Sequence, residues 1–453
     1  MFDNITEIIS EQQNLLRRDN IEEFLERMFR LFLELSNAPQ LRGKQINSGI
    51  FDELCQAAGQ TSAFELYQQF QPAEDVPYNV ILVTELTVQG GHVEIIKDIL
   101  RNSKLPVILL VTNIHNKKDP ILRTISEECD FSETVLIEDN RLLEKLRLTQ
   151  SVINHPKVHR VYLLSHPYDS VAIAAITPSI AKKALFLHHC DHTPCLGSHL
   201  VGVEHLDLHN IGFSRCRHEH NLTNNRYLCL TSAGEDIKPK RTNFSKPVFT
   251  SATCGSIHKL QNMDYHLSYK DQIVQVLKNK KGIHYHIGYL PGDFLSGMAN
   301  LLEMHGIEEN QFCYLGEAPG LATILSTLDV DLYIPTMPLS GGKALVDAMA
   351  AGVPILLHQH ARDRIWGSID LVYPEAPTWR DLKEMNAILD QFDERYWQQQ
   401  SKASRAYFER FHNNKMFSEQ LERAGLDINA VDIPPLKPYR PDIGAFLHFA
   451  RNS

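Results

Sequence analysis

The sequence predicts an α/β protein with two parallel-sheet domains in series, preceded by a helical segment. Three observations carry this. Before residue 76 apolar residues recur at helical spacing. From residue 78 short apolar runs alternate with helical stretches, the pattern of a parallel sheet covered on both faces. After a polar stretch at 235–246 the alternation starts again. At 453 residues the chain is also too long for one ordinary core, which points to two domains.

Taken in order, "ITEIISEQQNLL", "IEEFLERMFRLFLELS" and "IFDELCQAAG" read as helices, with "NAPQLRGKQINSG" a loop before the third. "NVILVTEL" is a buried strand, followed by "TVQGGH" and the helix "VEIIKDILRNS". "PVILLVTNI" and "ETVLIE" are strands, "LLEKLRLTQSVINH" a helix, and "VHRVYLLSH" and "KALFLHH" strands around the helical "DSVAIAAITPSIA". In the second series "PVFTSA", "IHYHIGYL", "QFCYLG", "VDLYIPT" and "VPILLHQ" read as strands. "YKDQIVQVLKN", "FLSGMANLLEMHG", "LATILSTL" and the stretch after Gly341-Gly342 read as helices between them. A long helical tail and a last helix, "DIGAFLHFARNS", close the chain. The expected boundaries are a helical segment 1–76, a first α/β domain 77–240, a second 246–420 and a helical tail 421–453.

A composition of 43% hydrophobic and 22% charged residues is that of a soluble globular protein. The formal charge of −10 argues against nucleic acid as a partner, since phosphate contacts want a basic face. No signal core or membrane-length apolar run is found, and eight cysteines are too sparse for a disulfide scaffold. The expected location is a reducing cytoplasm.

The most informative stretch is "PLSGGKALVDAMAAGVPI", residues 338–355. A strand, a loop, Gly341-Gly342 and a helix make an anion site: amide N–H groups and the helix dipole face the strand's carboxyl end. Glycine lets a diphosphate approach the backbone. Lys343 adds a cation, and Asp347 offers a carboxylate to ribose hydroxyls. Taken alone, a glycine pair also fits a tight loop. The whole run Ser340 to Pro354 resembles the nucleotide-sugar signature of the GT-B glycosyltransferases of bacterial, nucleotide-sugar-dependent type. Asp347 stands where many relatives carry glutamate.

Three further stretches fit the same resemblance. Gly90-Gly91-His92 opens a helix after the first strand and is expected to line the cleft on the acceptor side. "KALFLHHCDHTPCLG" places His189, Asp191 and His192 after a strand, where open α/β sheets bind ligands. The resemblance implies that this cluster serves catalysis. "FTSATCGSIHKL" and "HIGYLPG" supply Gly255, Lys259, Gly288 and Tyr289, expected around the donor diphosphate and base.

Eight histidines and three cysteines between 188 and 220 raise a metal reading: His188, His189, Cys190, His192, Cys195, His199, His205, His209, Cys216, His218 and His220. No Cys-x-x-Cys pair occurs, and Cys190 and Cys195 are not spaced like a common structural zinc site. No metal ligand and no cofactor is expected, because GT-B enzymes generally neutralise the leaving diphosphate with cations and helix dipoles.

The resemblance therefore implies two Rossmann-like domains facing across a cleft, with an N-terminal helical extension. It implies a hexosyl-type glycosyltransferase that takes a nucleotide-diphospho-sugar as donor and a glycan, lipid or protein as acceptor. A GT-B-fold UDP-sugar epimerase and a catalytically silent GT-B-like partner subunit are the other readings. The sequence leaves the oligomeric state open.

Overall fold

A computed structural model describes residues 5–38, 41, 43–44, 49–62, 70–86, 90–117, 125, 128–234, 247–261, 265–422, 432–442 and 444. The expected linker 235–246, residues 87–89 of the first glycine loop, and most of the expected last helix lie outside the described residues. The chain forms two compact units, Met1–Leu228 with Gln420–Ala430, and Cys229–Glu419 with Val431–Ser453.

The first unit opens with three helices, α1 (Ile5–Arg17), α2 (Ile21–Asn37) and α3 (Gly49–Ser62). α2 buries Ile21, Phe24, Leu25, Met28, Phe32 and Leu35, an apolar stripe at helical spacing. An all-parallel sheet follows: β1 (Tyr78–Val83), β2 (Val107–Val111), β3 (Glu133–Leu136), β4 (Val158–Leu164), β5 (Ala184–His188), β6 (Glu204–Asp207) and β7 (Asn225–Tyr227). The order is β3-β2-β1-β4-β5-β6-β7. β1 and β2 are buried along their whole length, which is why they read as continuous apolar runs. Helices α4 (Gly91–Asn102), α5 (Leu142–Ile153), α6 (Ser170–Ala175), α7 (Pro178–Ala181) and α8 (Asn210–His218) connect the strands.

The N-terminal helices are built into this unit rather than appended to it. Phe24, Leu25, Met28 and Ala58 share one core with Val80, Leu82, Leu163 and Phe186. The Asp52 carboxylate accepts the amides of Gly197 and His199, each at 2.7 Å, and Gln150 Nε2 donates to the Gly59 carbonyl at 2.9 Å. At Gly59 the backbones of α3 and α6 touch: a Cβ there would stand 1.8 Å from the Ala174 carbonyl oxygen. Because a backbone atom blocks the way, Gly59→Ala must push α3 off the unit. A loss of about 3 kcal/mol or more is expected, the upper range of overpacking, read as a drop in urea midpoint. An unchanged midpoint would show that the helices are not packed this way.

The second unit repeats the architecture. Its strands are β8 (Thr250–Cys254), β9 (Ile283–Ile287), β10 (Phe312–Gly316), β11 (Leu332–Tyr333), β12 (Leu357–His358) and β13 (Thr378–Trp379). Their order is β10-β9-β8-β11, with β12 and β13 paired beside them. Tyr333 bridges Ile355 in parallel, so the run 355–358 continues the sheet from β11 to β13. Helices α9 (His258–Gln261), α10 (Tyr269–Lys280), α11 (Gly292–Met304), α12 (Leu321–Thr327), α13 (Gly342–Ala350), α14 (Arg364–Gly367), α15 (Leu382–Asp390) and α16 (Glu394–Phe411) flank it. Residues 432–442 carry no helix or strand. Among the described residues no helix is long and apolar enough to cross a membrane.

In both sheets the strand order reverses direction once, between β1 and β4 and between β8 and β11. Open parallel sheets bind ligands outside the carboxyl ends of the strands at such a switch point; the second-unit cluster lies there, and the first-unit cluster lies at the carboxyl ends of β1 and β5, on either side of β4.

Candidate functional site

In the second unit, β11 runs through the cis Met337–Pro338 peptide into Ser340 and Gly341, and Gly341 is the N-cap of α13. The first-turn amides of a helix have no acceptor within the helix, so they face outward as donors. The other wall comes from the end of β8. A Cβ on Gly341 would stand 2.6 Å from Lys259 Nζ, so the ammonium rests directly on the glycine. The Lys259 carbonyl accepts the Leu339 amide at 3.2 Å, and the Ser340 amide donates to the Trp366 carbonyl at 2.8 Å. These bonds fix the loop from outside and leave its inner side to Lys259 and the helix terminus. Burial pushes the Lys259 ammonium pKa down, and the Cys254 thiol works against it. The Ser340 hydroxyl is buried and meets no hydrogen-bond partner among the described residues.

Gly255 and Gly288 close this end of the sheet. Gly288 has φ of 113°, and a Cβ there would lie 2.6 Å from the Gly255 carbonyl oxygen, so only glycine lets the two turns meet. Tyr289 follows and is half exposed. Asp347 lies further along α13 and accepts from the Ser232 hydroxyl. Lys343 is buried, and its ammonium donates to the Thr231 carbonyl.

In the first unit, Gly90 caps α4 with φ of 150°, and His92 sits in its first turn. His92 stacks on His189 with ring centroids 4.6 Å apart, and His166 lies 5.7 Å from His92. Nε2 of His92 contacts the Leu164 carbonyl at 3.0 Å. Burial, then the neighbouring His166, lowers the His92 pKa to about 3. Burial, then His189, lowers His166 to about 3, and His189 is likewise pushed well down by burial. At neutral pH the three rings are uncharged hydrogen-bonding groups.

Asp191 is buried, whereas the His192 side chain is 47% exposed. Oδ2 of Asp191 accepts from His209 Nδ1 at 2.9 Å, and Oδ1 faces His192 Nδ1 at 3.9 Å. Burial alone would raise the Asp191 pKa. The neighbouring His209 and its hydrogen bond, with His192 nearby, outweigh it, and the carboxyl lies below the usual carboxylate range. The Gly43 amide donates to the His192 carbonyl at 2.8 Å and holds the turn.

No family model matches the chain, and no curated protein matches it by sequence. Solved structures match it across most of its length. A glycosyltransferase from Rickettsia africae aligns with a TM-score of 0.57 at 13% identity, over 78% of this chain and 100% of that one. The Anabaena protein HepE, in complex with UDP and glucose, aligns with a TM-score of 0.56 at 10% identity, over 76% of this chain and 98% of that one. TarM aligns with a TM-score of 0.54 at 10% identity, over 79% of this chain and 100% of that one. The chain has the GT-B fold. Each of its two units is one Rossmann-like half of that fold.

Within this GT-B chain the expected residues fall into two groups. Ser340, Gly341, Gly342, Gly255, Lys259, Gly288 and Tyr289 gather at the switch point of the second sheet, with Lys343 and Asp347 on the helix that starts there. Gly90, Gly91, His92, His189, Asp191 and His192 gather at the carboxyl ends of β1 and β5. Sequence reasoning did not single out His166, which lies two residues past the end of β4 beside His92 and His189, nor the pairing of His209 with Asp191. The signal for His166 was its place just after a strand, in "YLLSHPYDS".

Proposed function

We propose that the chain is a glycosyltransferase that uses a nucleotide-diphospho-sugar donor. The observation that carries this is the pairing of Lys259 with Gly341 at the N-terminus of α13. An ammonium, free helix amides and the Ser340 hydroxyl converge where a diphosphate fits. The solved complexes of HepE with UDP and with UDP-glucose support the reading. In this reading the diphosphate takes Gly341, Gly342 and Lys259, with Lys343 adding positive charge behind the turn. Asp347 takes the ribose, and Gly288 and Tyr289 border the base. As the glycosidic bond breaks, charge grows on the departing diphosphate, and these fixed dipoles and cations stabilise it without a metal ion.

The first unit supplies the acceptor side. His192 takes the proton of the acceptor hydroxyl, Asp191 orients it, and His92 and His189 hydrogen-bond acceptor or sugar. The acceptor is a glycan, lipid or protein hydroxyl.

The deciding experiment is a thermal-shift and calorimetric panel of nucleoside diphosphates and their sugars, since ligands of the native state raise its melting temperature. Stabilisation by one nucleoside diphosphate, with sugar transfer to an acceptor, is the expected result. No binding by any of them would make the chain a silent GT-B-like subunit, and isomerisation of the donor without an acceptor would make it an epimerase. Asp347→Asn is expected to weaken the donor by about 1–3 kcal/mol, the scale of a hydrogen bond to a charged group. The ribonucleotide and its deoxy analogue should then bind alike; a wild type that already fails to distinguish them contradicts the ribose role.

A further inference from the structure

We propose that His188, His205, Asp207 and Cys216 form a structural zinc site in the first unit. The transfer proposed above uses none of the four. His188 ends β5, His205 and Asp207 lie on β6, and Cys216 lies on α8. All are buried, at 1%, 2%, 0% and 0% exposure, and one ligand atom from each lies within 4.8 Å of the other three. Three consecutive elements, β5, β6 and α8, thus aim two imidazoles, a carboxylate and a thiol at one point.

The spacing fits a tetrahedral ion. With Zn–N of about 2.0–2.1 Å and Zn–S of about 2.3 Å, tetrahedral angles put sulfur and nitrogen about 3.5 Å apart and nitrogen and oxygen about 3.4 Å apart. Cys216 Sγ lies 3.6 Å from His188 Nδ1 and 3.7 Å from His205 Nε2. Asp207 Oδ1 lies 3.0 Å from the same His188 nitrogen and 2.9 Å from the same His205 nitrogen. The sulfur edges match, and the oxygen edges need to open by only a few tenths of an ångström.

The hydrogen bonds around the cluster aim the ligands inward. Nδ1 of His205 is 3.0 Å from the Ser198 carbonyl, which can only accept, so Nδ1 carries a proton. In the neutral ring Nε2 then presents a lone pair to Asp207 Oδ1, acceptor against acceptor. A cation between the two turns that repulsion into coordination. Metal-bound histidines commonly donate their other N–H to a carbonyl in this manner. Asn225 Nδ2 donates to Asp207 Oδ2 at 2.7 Å, which turns Oδ1 toward the centre.

The donor set selects the metal and its role. Two nitrogens, a thiolate and one carboxylate oxygen suit zinc and not calcium or magnesium. Four protein ligands close the shell, the mark of a structural site rather than a catalytic one. The ion would clamp β5, β6 and α8 together. Asp191 follows three residues after His188, and His209 is the N-cap of α8, so the clamp would hold the Asp191–His209 pair in register.

The test uses the full chain, expressed with added zinc and dialysed against metal-free buffer. Elemental analysis and native mass spectrometry should find close to one zinc per chain. After replacement by cobalt, an intense thiolate-to-cobalt charge-transfer band and tetrahedral d–d bands should appear. Cys216→Ser should lose the charge-transfer band, and His205→Ala should lose most of the metal. If either variant fails to fold, metal content and cobalt spectrum of the wild type still decide. Far less than one equivalent of zinc, with no cobalt band in a folded chain, would make the cluster a hydrogen-bonded one around a His205 imidazolium and overturn the proposal. Nucleotide binding is read separately, so this result and the donor reading stand or fall independently.

Discussion

Replacing His192 by alanine is expected to slow sugar transfer by about 10²–10⁴-fold, the usual contribution of a general base, with nucleoside-diphosphate affinity unchanged. His192 is the exposed member of the cluster after β5, and its neighbour Asp191 is buried 3.9 Å away. His209 and the bonds to Asp191 hold that carboxyl ionised far below neutral pH. A fixed negative charge beside an imidazole favours the imidazolium that forms as the acceptor proton arrives. Asp191 does not reach solvent itself, so in the proposed reading it positions and polarises its partners. Asp191→Asn keeps the shape and removes the charge. It should lower turnover less than His192→Ala does. Melting temperatures separate function from fold: parallel loss of melting temperature and activity in both variants would mark a structural loop. Full transfer activity in His192→Ala would remove this residue from the chemistry.

What was legible in the sequence is what hydrophobic periodicity can show. β1 and β2 are apolar on both faces and read as strands; the stripe of α2 reads as a buried helix. β6 and β7 were not read as strands, for a physical reason. They are four and three residues long, and their inward positions hold His205, Asp207 and Asn225, all buried. A polar core leaves no apolar pattern. The stretch 169–181, one helix by periodicity, is two: Asp169 caps α6 by accepting the Ala172 amide at 2.9 Å, and Thr177-Pro178 starts α7. Burial of that aspartate beneath Thr84 and Thr112, whose hydroxyls donate to it at 2.7 and 2.6 Å, is a tertiary fact. The glycine pair at 341–342 was legible as a helix start. Lys259 was legible as a cation for the diphosphate, but its seat against Gly341 was not, since it comes from a turn eighty-two residues earlier and only the tertiary fold brings the two together.

Lys259→Met is expected to lower nucleoside-diphosphate affinity by about 1.5–3 kcal/mol, the range for a hydrogen bond to a charged group. Transfer should fall further, by about 10²–10³-fold in turnover, the cost of removing one donor to a developing anion. Methionine keeps the length and apolar stem, so the loss reports on charge. The ammonium lies against Gly341, within 2.6 Å of where a Cβ would be, so Gly341→Val should displace it and reproduce the effect by another route. The double variant should then cost little more than either single one, because both remove the same contact. Burial holds the Lys259 pKa down in the free protein, and a bound diphosphate raises it. Phosphate affinity should therefore be greatest below the free-protein pKa and fall as pH rises through it, a dependence absent from Lys259→Met. The nucleoside alone should bind both proteins equally. A methionine variant that keeps wild-type affinity for the diphosphate, measured by calorimetry, would show that the phosphates lie elsewhere.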